Sequence, residues 1–240
     1  MLAYAAVILL SAFDQPVKID TVRTDGSRTL TCWLYSSFMV KQLAAPDLKG
    51  AERLSFVRFN GGAPTCDRTI AVGVEKVLDD WGGYYAGALG DLVVFNGDDG
   101  WNGGMGFAIY DTTNGNQVFK DARLGDMTVK DNTLTYKRVT LLDCNASADK
   151  KCAAKGMKLA SSKQDLGATC KKGYAKWLGQ FQASVAKIET ACDATCKKER
   201  KAQLDSFKSS DSVVAYAVSV DRGTFAITPK SGSVDCWPAN

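Results

Sequence analysis

The sequence predicts a mainly β protein, an antiparallel sandwich or meander, with a basic helical insertion near the C-terminus; an α+β fold is the alternative. Three observations predict it. Turn dipeptides separate short apolar runs over residues 21–142, at about ten residues per strand. The apolar period then becomes helical over residues 168–207, and the charge changes sign there. Eight cysteines also stand in a chain of 240 residues that has no histidine.

The chain opens on an apolar run, Leu2 to Phe13 (LAYAAVILLSAF), too short to span a bilayer as a helix. With small residues at Ala3, Ala5, Ala6 and Ser11-Ala12 it reads as the apolar region of a secretory signal, so residues 1–18 form a signal-like segment. No Lys or Arg precedes the run, and a start upstream of Met1 would supply the missing charge. A buried first strand is the other reading. No further segment is long and apolar enough to cross a membrane, so the mature protein is expected to be soluble.

Strands follow at Ser27–Tyr35, Ser55–Asn60, Ile70–Val77, Leu92–Phe95, Phe107–Tyr110, Gln117–Lys120, Met127–Lys130 and Thr133–Leu142. Asn60-Gly61, Asn96-Gly97, Asn102-Gly103, Asn114-Gly115 and Lys130-Asp131-Asn132 mark turns. Regular short strands of this kind suit antiparallel pairing rather than βαβ units. Asn145–Gly167 is polar and alanine-rich and reads as a loop, the least ordered part.

From Ala168 to Phe207 there is no proline, and Tyr174, Trp177, Leu178, Phe181, Val185, Ile188, Cys192, Leu204 and Phe207 recur at helical spacing. Lysines occupy the opposite face. Residues 150–208 hold 14 Lys or Arg against 5 Asp or Glu, a balance of +9; the whole chain is +4, which leaves the rest at −5. Strand character returns at Ser212–Val220 and Thr224–Thr228. The predicted organisation is a β domain of residues 19–149 and 209–240 carrying a helical insertion of residues 150–208. Four cysteines lie inside the insertion and four outside, so the two parts could be cross-linked independently.

Cysteines in this number and scatter, with no C-x-x-C, argue for disulfides outside the cytosol and against zinc or dithiol chemistry. Cys192 and Cys196 are predicted to pair: an i, i+4 pair at a helix end lies about 6 Å apart, whereas Cys170 would lie about 33 Å from Cys192 along a continuous helix. Cys32 and Cys66, in neighbouring β segments, form the other predicted pair.

Without histidine there is no Ser-His-Asp or Cys-His pair and no H-E-x-x-H site. Ser147-x-x-Lys150 and Ser184-x-x-Lys187 lack the S-D-N and K-T-G motifs that serine acyltransferases carry beside them. Paired carboxylates remain, at Asp79-Asp80, Asp91 and Asp98-Asp99; a glycosidase needs two, roughly 5 to 10 Å apart across a sugar. The segment Asp91–Asp111 (DLVVFNGDDGWNGGMGFAIYD) reads as two strands around a Gly-rich loop. There Asp98, Trp101 and Asn102, with Trp81 and Tyr84 nearby, are the candidate ligand-binding residues. Asn96, Asp98 and Asn102 supply alternating oxygen donors of the kind calcium requires, although Gly100 stands where an EF-hand wants an acid or amide and no Glu closes the loop.

The sequence thus reads as an exported, disulfide-bearing protein of the periplasm or cell exterior. It is a non-catalytic binding or scaffold module of the cell envelope; the alternative is a carboxylate-based enzyme acting on a glycan or cell-wall polymer. Its basic segment suits an anionic envelope surface or another protein as partner, rather than nucleic acid, which an exported protein meets little.

Overall fold

The structure, a computed structural model, describes residues 13–71, 74–186 and 193–239. The signal-like segment therefore lies outside the described residues, apart from its last few. The chain is mostly β, in two antiparallel sheets, with three helices among the described residues. It forms two compact units: Met1–Gly100 with Met105–Asp121, and Trp101–Gly104 with Ala122–Asn240.

In the first unit, β1 (Lys18–Arg23), β2 (Thr29–Leu34), β3 (Phe38–Ala44), β4 (Arg53–Arg58) and β5 (Glu75–Val77) pair in sequence order. Then β6 (Gly83–Leu89), β7 (Leu92–Trp101), β8 (Gly104–Asp111) and the start of β9 (Gln117–Lys130) make a second meander. Alternate residues of both meet in one core. Phe38, Val40, Leu54 and Phe56 come from the first sheet, and Ala88, Val93, Phe95, Ala108 and Tyr110 from the second. Period-2 alternation makes such a sandwich core.

The outer face of the first sheet is also covered. Leu30, Cys32, Met39, Leu43 and Val57 pack there with Phe59 and Cys66, and the Cys32–Cys66 disulfide ties the β4–β5 connection across them. Lys41 shares this face with Met39 and Leu43, so a cation points into a covered layer. Its side chain is 4% exposed, and that of its partner Glu75 is 0%. Every polar atom of the pair is satisfied. Lys41 Nζ lies 3.0 Å from Glu75 Oε2 and donates to the Thr69 carbonyl, while Ser55 Oγ and the Ala71 N–H donate to the carboxylate. Burial pushes the Glu75 carboxyl up, but these donors together hold it below the usual range.

In the second unit the rest of β9 pairs with β10 (Thr133–Leu141), β10 with β11 (Ser212–Asp221), and β11 with both β12 (Ile227–Pro229) and β13 (Asp235–Pro238). Between β10 and β11 run α1 (Lys150–Leu159), α2 (Leu166–Ala186) and α3 (Ala194–Lys208). Each begins on an aspartate that accepts a free N–H of the first turn: Asp149 from Lys151, Asp165 from Ala168, Asp193 from Cys196.

Two expectations change here. Asn145–Gly167 is not a loop: it holds α1, and Ala146, Cys152, Ala153, Ala160 and Leu166 within it are buried. Its alanines and glycine let α1 pack closely, and polar residues cover only its outer side. The helical segment is also not cross-linked independently of the strands. Cys144–Cys152 and Cys170–Cys236 both join it to the strand regions on either side. Of the predicted Cys192–Cys196 pair, Cys192 lies outside the described residues; Cys196 is disulfide-bonded. No helix among the described residues is long and apolar enough to cross a membrane.

Candidate functional site

The segment read as a Gly-rich loop is mostly strand. Asn96-Gly97 makes no turn, because Tyr84 and Gly83 of β6 pair with Asn96 and Gly97, and β7 continues to Trp101. The turn falls at Asn102-Gly103, with φ of 48° and 81°, the positive values that a two-residue hairpin turn of type I′ requires.

The residues predicted to form a site there are divided between the units. Trp81, Tyr84, Asn96 and Asp98 belong to the first, Trp101 and Asn102 to the second. Trp81 donates its indole N–H to the Asn96 carbonyl at 3.0 Å, and Lys120 Nζ sits 5.1 Å from its ring centre. Tyr84 Oη accepts the Gly50 N–H at 2.7 Å. Lys49 and Asp99 form an exposed ion pair at 2.6 Å, and that bond raises the Lys49 ammonium and lowers the Asp99 carboxyl. Tyr84 and Lys49–Asp99 thus fasten the β3–β4 connection to the β6–β7 pair, and Trp81 braces β7 itself. Asn102 is buried, and its carbonyl accepts the Trp237 indole N–H at 2.8 Å. The side chain of Trp101 lies outside the described residues. Among the described residues no three acidic or thiol groups gather as a metal site would need.

A large cavity lies elsewhere, within the second unit. A groove of about 970 Å³ runs along α2 and β13, and Leu124 of β9 and Gly103 also line it. Its walls include Ala168, Val234, Trp177 and Trp237; Lys172 and Lys176, one helical turn apart, stand on the α2 side.

The floor of this groove is built close. At Gly173 a Cβ would fall 1.8 Å from the Cys236 carbonyl oxygen, so only glycine lets α2 lie directly on the β13 backbone. One turn earlier Cys170 is bonded to Cys236. Gln164 clamps Val234 from both sides: its Oε1 accepts the Val234 N–H and its Nε2 donates to the Val234 carbonyl. Tyr174 Oη donates to the carbonyls at the entry to β11, Ser210 and Asp211, 2.8 and 2.9 Å away. Burial raises its phenol above the ordinary value. Trp177 stacks on Phe181 with ring centres 5.4 Å apart and meets Phe207 of α3 at 3.9 Å. The predicted apolar helix face therefore contacts α3 through Trp177 and Phe181, while Ile188 and the Val185 side chain lie outside the described residues.

Half of the polar side chains on the walls are engaged within the protein, while Gln180, Ser233 and the two lysines make no hydrogen bond or ion pair among the described residues. Gln164 holds Val234 and Thr169; Thr169 also donates to the Asp165 carbonyl. Asp235 pairs with Lys137, and the Trp237 N–H is given to Asn102. Lys172 and Lys176 have no ion-pair partner among the described residues. Sequence reading places these lysines on a solvated face and leaves Trp237 without a role. Two signals pointed here: a glycine inside an otherwise strong helix, close to a cysteine, and a tryptophan beside the last cysteine.

Compared with protein-family models, with curated proteins and with solved structures, the chain matches none.

Proposed function

We propose that the protein is an exported, non-catalytic binding module of the cell envelope, held in the periplasm or outside the cell, and that the groove between α2 and β13 takes its ligand. One observation carries the reading: a large concave surface with largely apolar walls and a covalently braced floor. Small-molecule sites have this form, apolar and largely preformed. The disulfides Cys32–Cys66, Cys144–Cys152 and Cys170–Cys236 in a β-rich chain support export, since such bonds persist in oxidising compartments.

The carboxylate-enzyme reading has less support. Glycoside hydrolysis needs two carboxyl groups across the substrate, with the acid held protonated by a raised pKa. The groove lining contains one carboxylate, Asp235, and it is tied to Lys137. Among the described residues the carboxyl groups that move clearly from their ordinary values, Glu75, Asp99 and Asp221, all move down.

The test uses the anionic dye 1-anilinonaphthalene-8-sulfonate on the oxidised full chain. Dye emission is expected to saturate at one molecule per chain. Ala168→Trp, which plants a ring in the groove from an exposed helix position, should abolish it without lowering the melting temperature. Equal dye binding by wild type and Ala168→Trp would remove the groove as the site.

A further inference from the structure

The groove's inventory of free and engaged groups narrows the class of molecule it can hold. A sugar needs side chains free to bond its hydroxyls. Here Gln164, Thr169, Asp235 and the Trp237 indole N–H are already bonded within the protein, which leaves Gln180 and Ser233 as the only uncharged polar side chains of the lining without such a bond among the described residues, too few to bond the hydroxyls of a sugar ring. An apolar chain needs only surface, which Leu124, Ala168, Val234, Trp177 and Trp237 supply along one wall and floor. The unspent charge is all of one sign: Lys172 and Lys176 project from the same face of α2, and the single carboxylate of the lining is neutralised by Lys137. Two cations one turn apart suit one anionic head.

Resting on the groove as the binding site, we propose that its ligand is a monomeric fatty acid or a closely similar anionic amphiphile. The carboxylate is held by Lys172 and Lys176, and the alkyl chain lies over Trp177 and Trp237. The long stems of the two lysines add apolar cover above the chain while their ammonium groups stay in water. The volume of about 970 Å³ sits at the upper end of the usual range for small-molecule pockets, so an acyl chain has room to lie at length. The Cys170–Cys236 bond and Gly173 keep α2 against β13, so the groove does not have to be formed on binding.

The test is displacement of the same dye by dodecanoate, decanoate and dodecanol, each below its aggregation concentration. It is run on the wild type and on Lys172→Gln/Lys176→Gln. Dodecanoate should displace the dye, and decanoate should bind more weakly, by up to about fourfold per methylene removed. The double variant should weaken dodecanoate by about tenfold, the loss of two partly solvated ion pairs, and leave dodecanol unchanged. Both substitutions are at exposed positions, and an unchanged melting temperature checks the fold. Dodecanol binding as tightly as dodecanoate, or a double variant with undiminished affinity for dodecanoate, would overturn the anionic amphiphile. So would failure of dodecanoate to displace a dye that Ala168→Trp excludes; that result leaves the groove itself standing as a site. Binding to phosphatidylglycerol vesicles without any binding of free dodecanoate would replace the soluble ligand by a membrane surface.

Discussion

Replacing Lys41 with methionine strands a charge that the first unit has buried completely. Glu75 then keeps the Ser55 and Ala71 donors, at 2.5 and 3.1 Å, but loses its cation at 3.0 Å, and the Thr69 carbonyl loses its donor. Removing one partner of a buried ion pair costs about 3–5 kcal/mol, because the remaining charge has neither water nor a counter-ion. For a chain of this size that is a fall in melting temperature of about 6–20 °C. Glu75→Gln added to Lys41→Met removes the stranded charge, and the amide can accept the Ala71 N–H through its oxygen and donate to Ser55 Oγ through its nitrogen. The double variant should therefore be more stable than Lys41→Met alone, by about 1–3 kcal/mol.

The pH dependence supplies an independent sign. In the wild type the folded Glu75 carboxyl is held below its ordinary value. Its contribution is thus present above the ordinary carboxylate range and is lost as the pH falls through the lowered value. In Lys41→Met burial acts with less opposition and should raise the carboxyl above its unfolded value. The variant then gains relative to the wild type as the pH falls below that raised value. Urea denaturation followed by circular dichroism, from pH 7 to pH 4, measures both. A deficit under 1 kcal/mol at pH 7, or one that does not shrink in acid, would refute the reasoning.

At Gly173 a valine meets the Cys236 carbonyl, so Gly173→Val should cost about 1–3 kcal/mol by overpacking and abolish dye binding; full dye binding by the variant would show that α2 does not rest on β13. Peptide mapping without reductant should return Cys32–Cys66, Cys144–Cys152 and Cys170–Cys236, with no thiol labelled after denaturation; incorporation of several labels would remove the case for export. Replacing residues 150–208 with a Gly-Ser linker leaves Cys144 and Cys236 without their partners, and the second unit should lose cooperative unfolding. A cooperatively folded product would mean that its strands are self-sufficient. Asp98→Ala, at an exposed position on β7, should change stability by no more than about 0.5 kcal/mol in the same urea assay; a larger loss would make Asp98 part of the frame.

What the sequence determined by itself was local chemistry and local period. Alternation at two residues and the turn residues between the runs specify a mainly β chain, because side-chain direction in a strand depends only on residue parity. Eight cysteines specify disulfides, and the missing histidine removes several catalytic chemistries. The helix starts were also readable: Asp149, Asp165 and Asp193 each stand where a helix wants an acceptor, and the first of them would have revealed α1 inside the supposed loop. Asn96-Gly97 shows the limit of such signals, since a turn dipeptide becomes strand when a neighbouring strand supplies its hydrogen bonds. Only the tertiary structure decided which cysteines meet. Cys170 and Cys236 are 66 residues apart, and their pairing depends on α2 being laid on β13 through Gly173. The groove has the same origin. Leu124, Lys172, Trp177 and Trp237 come from three distant stretches of chain. No periodicity relates them, because a concave surface arises from how elements pack and not from the pattern within any one of them.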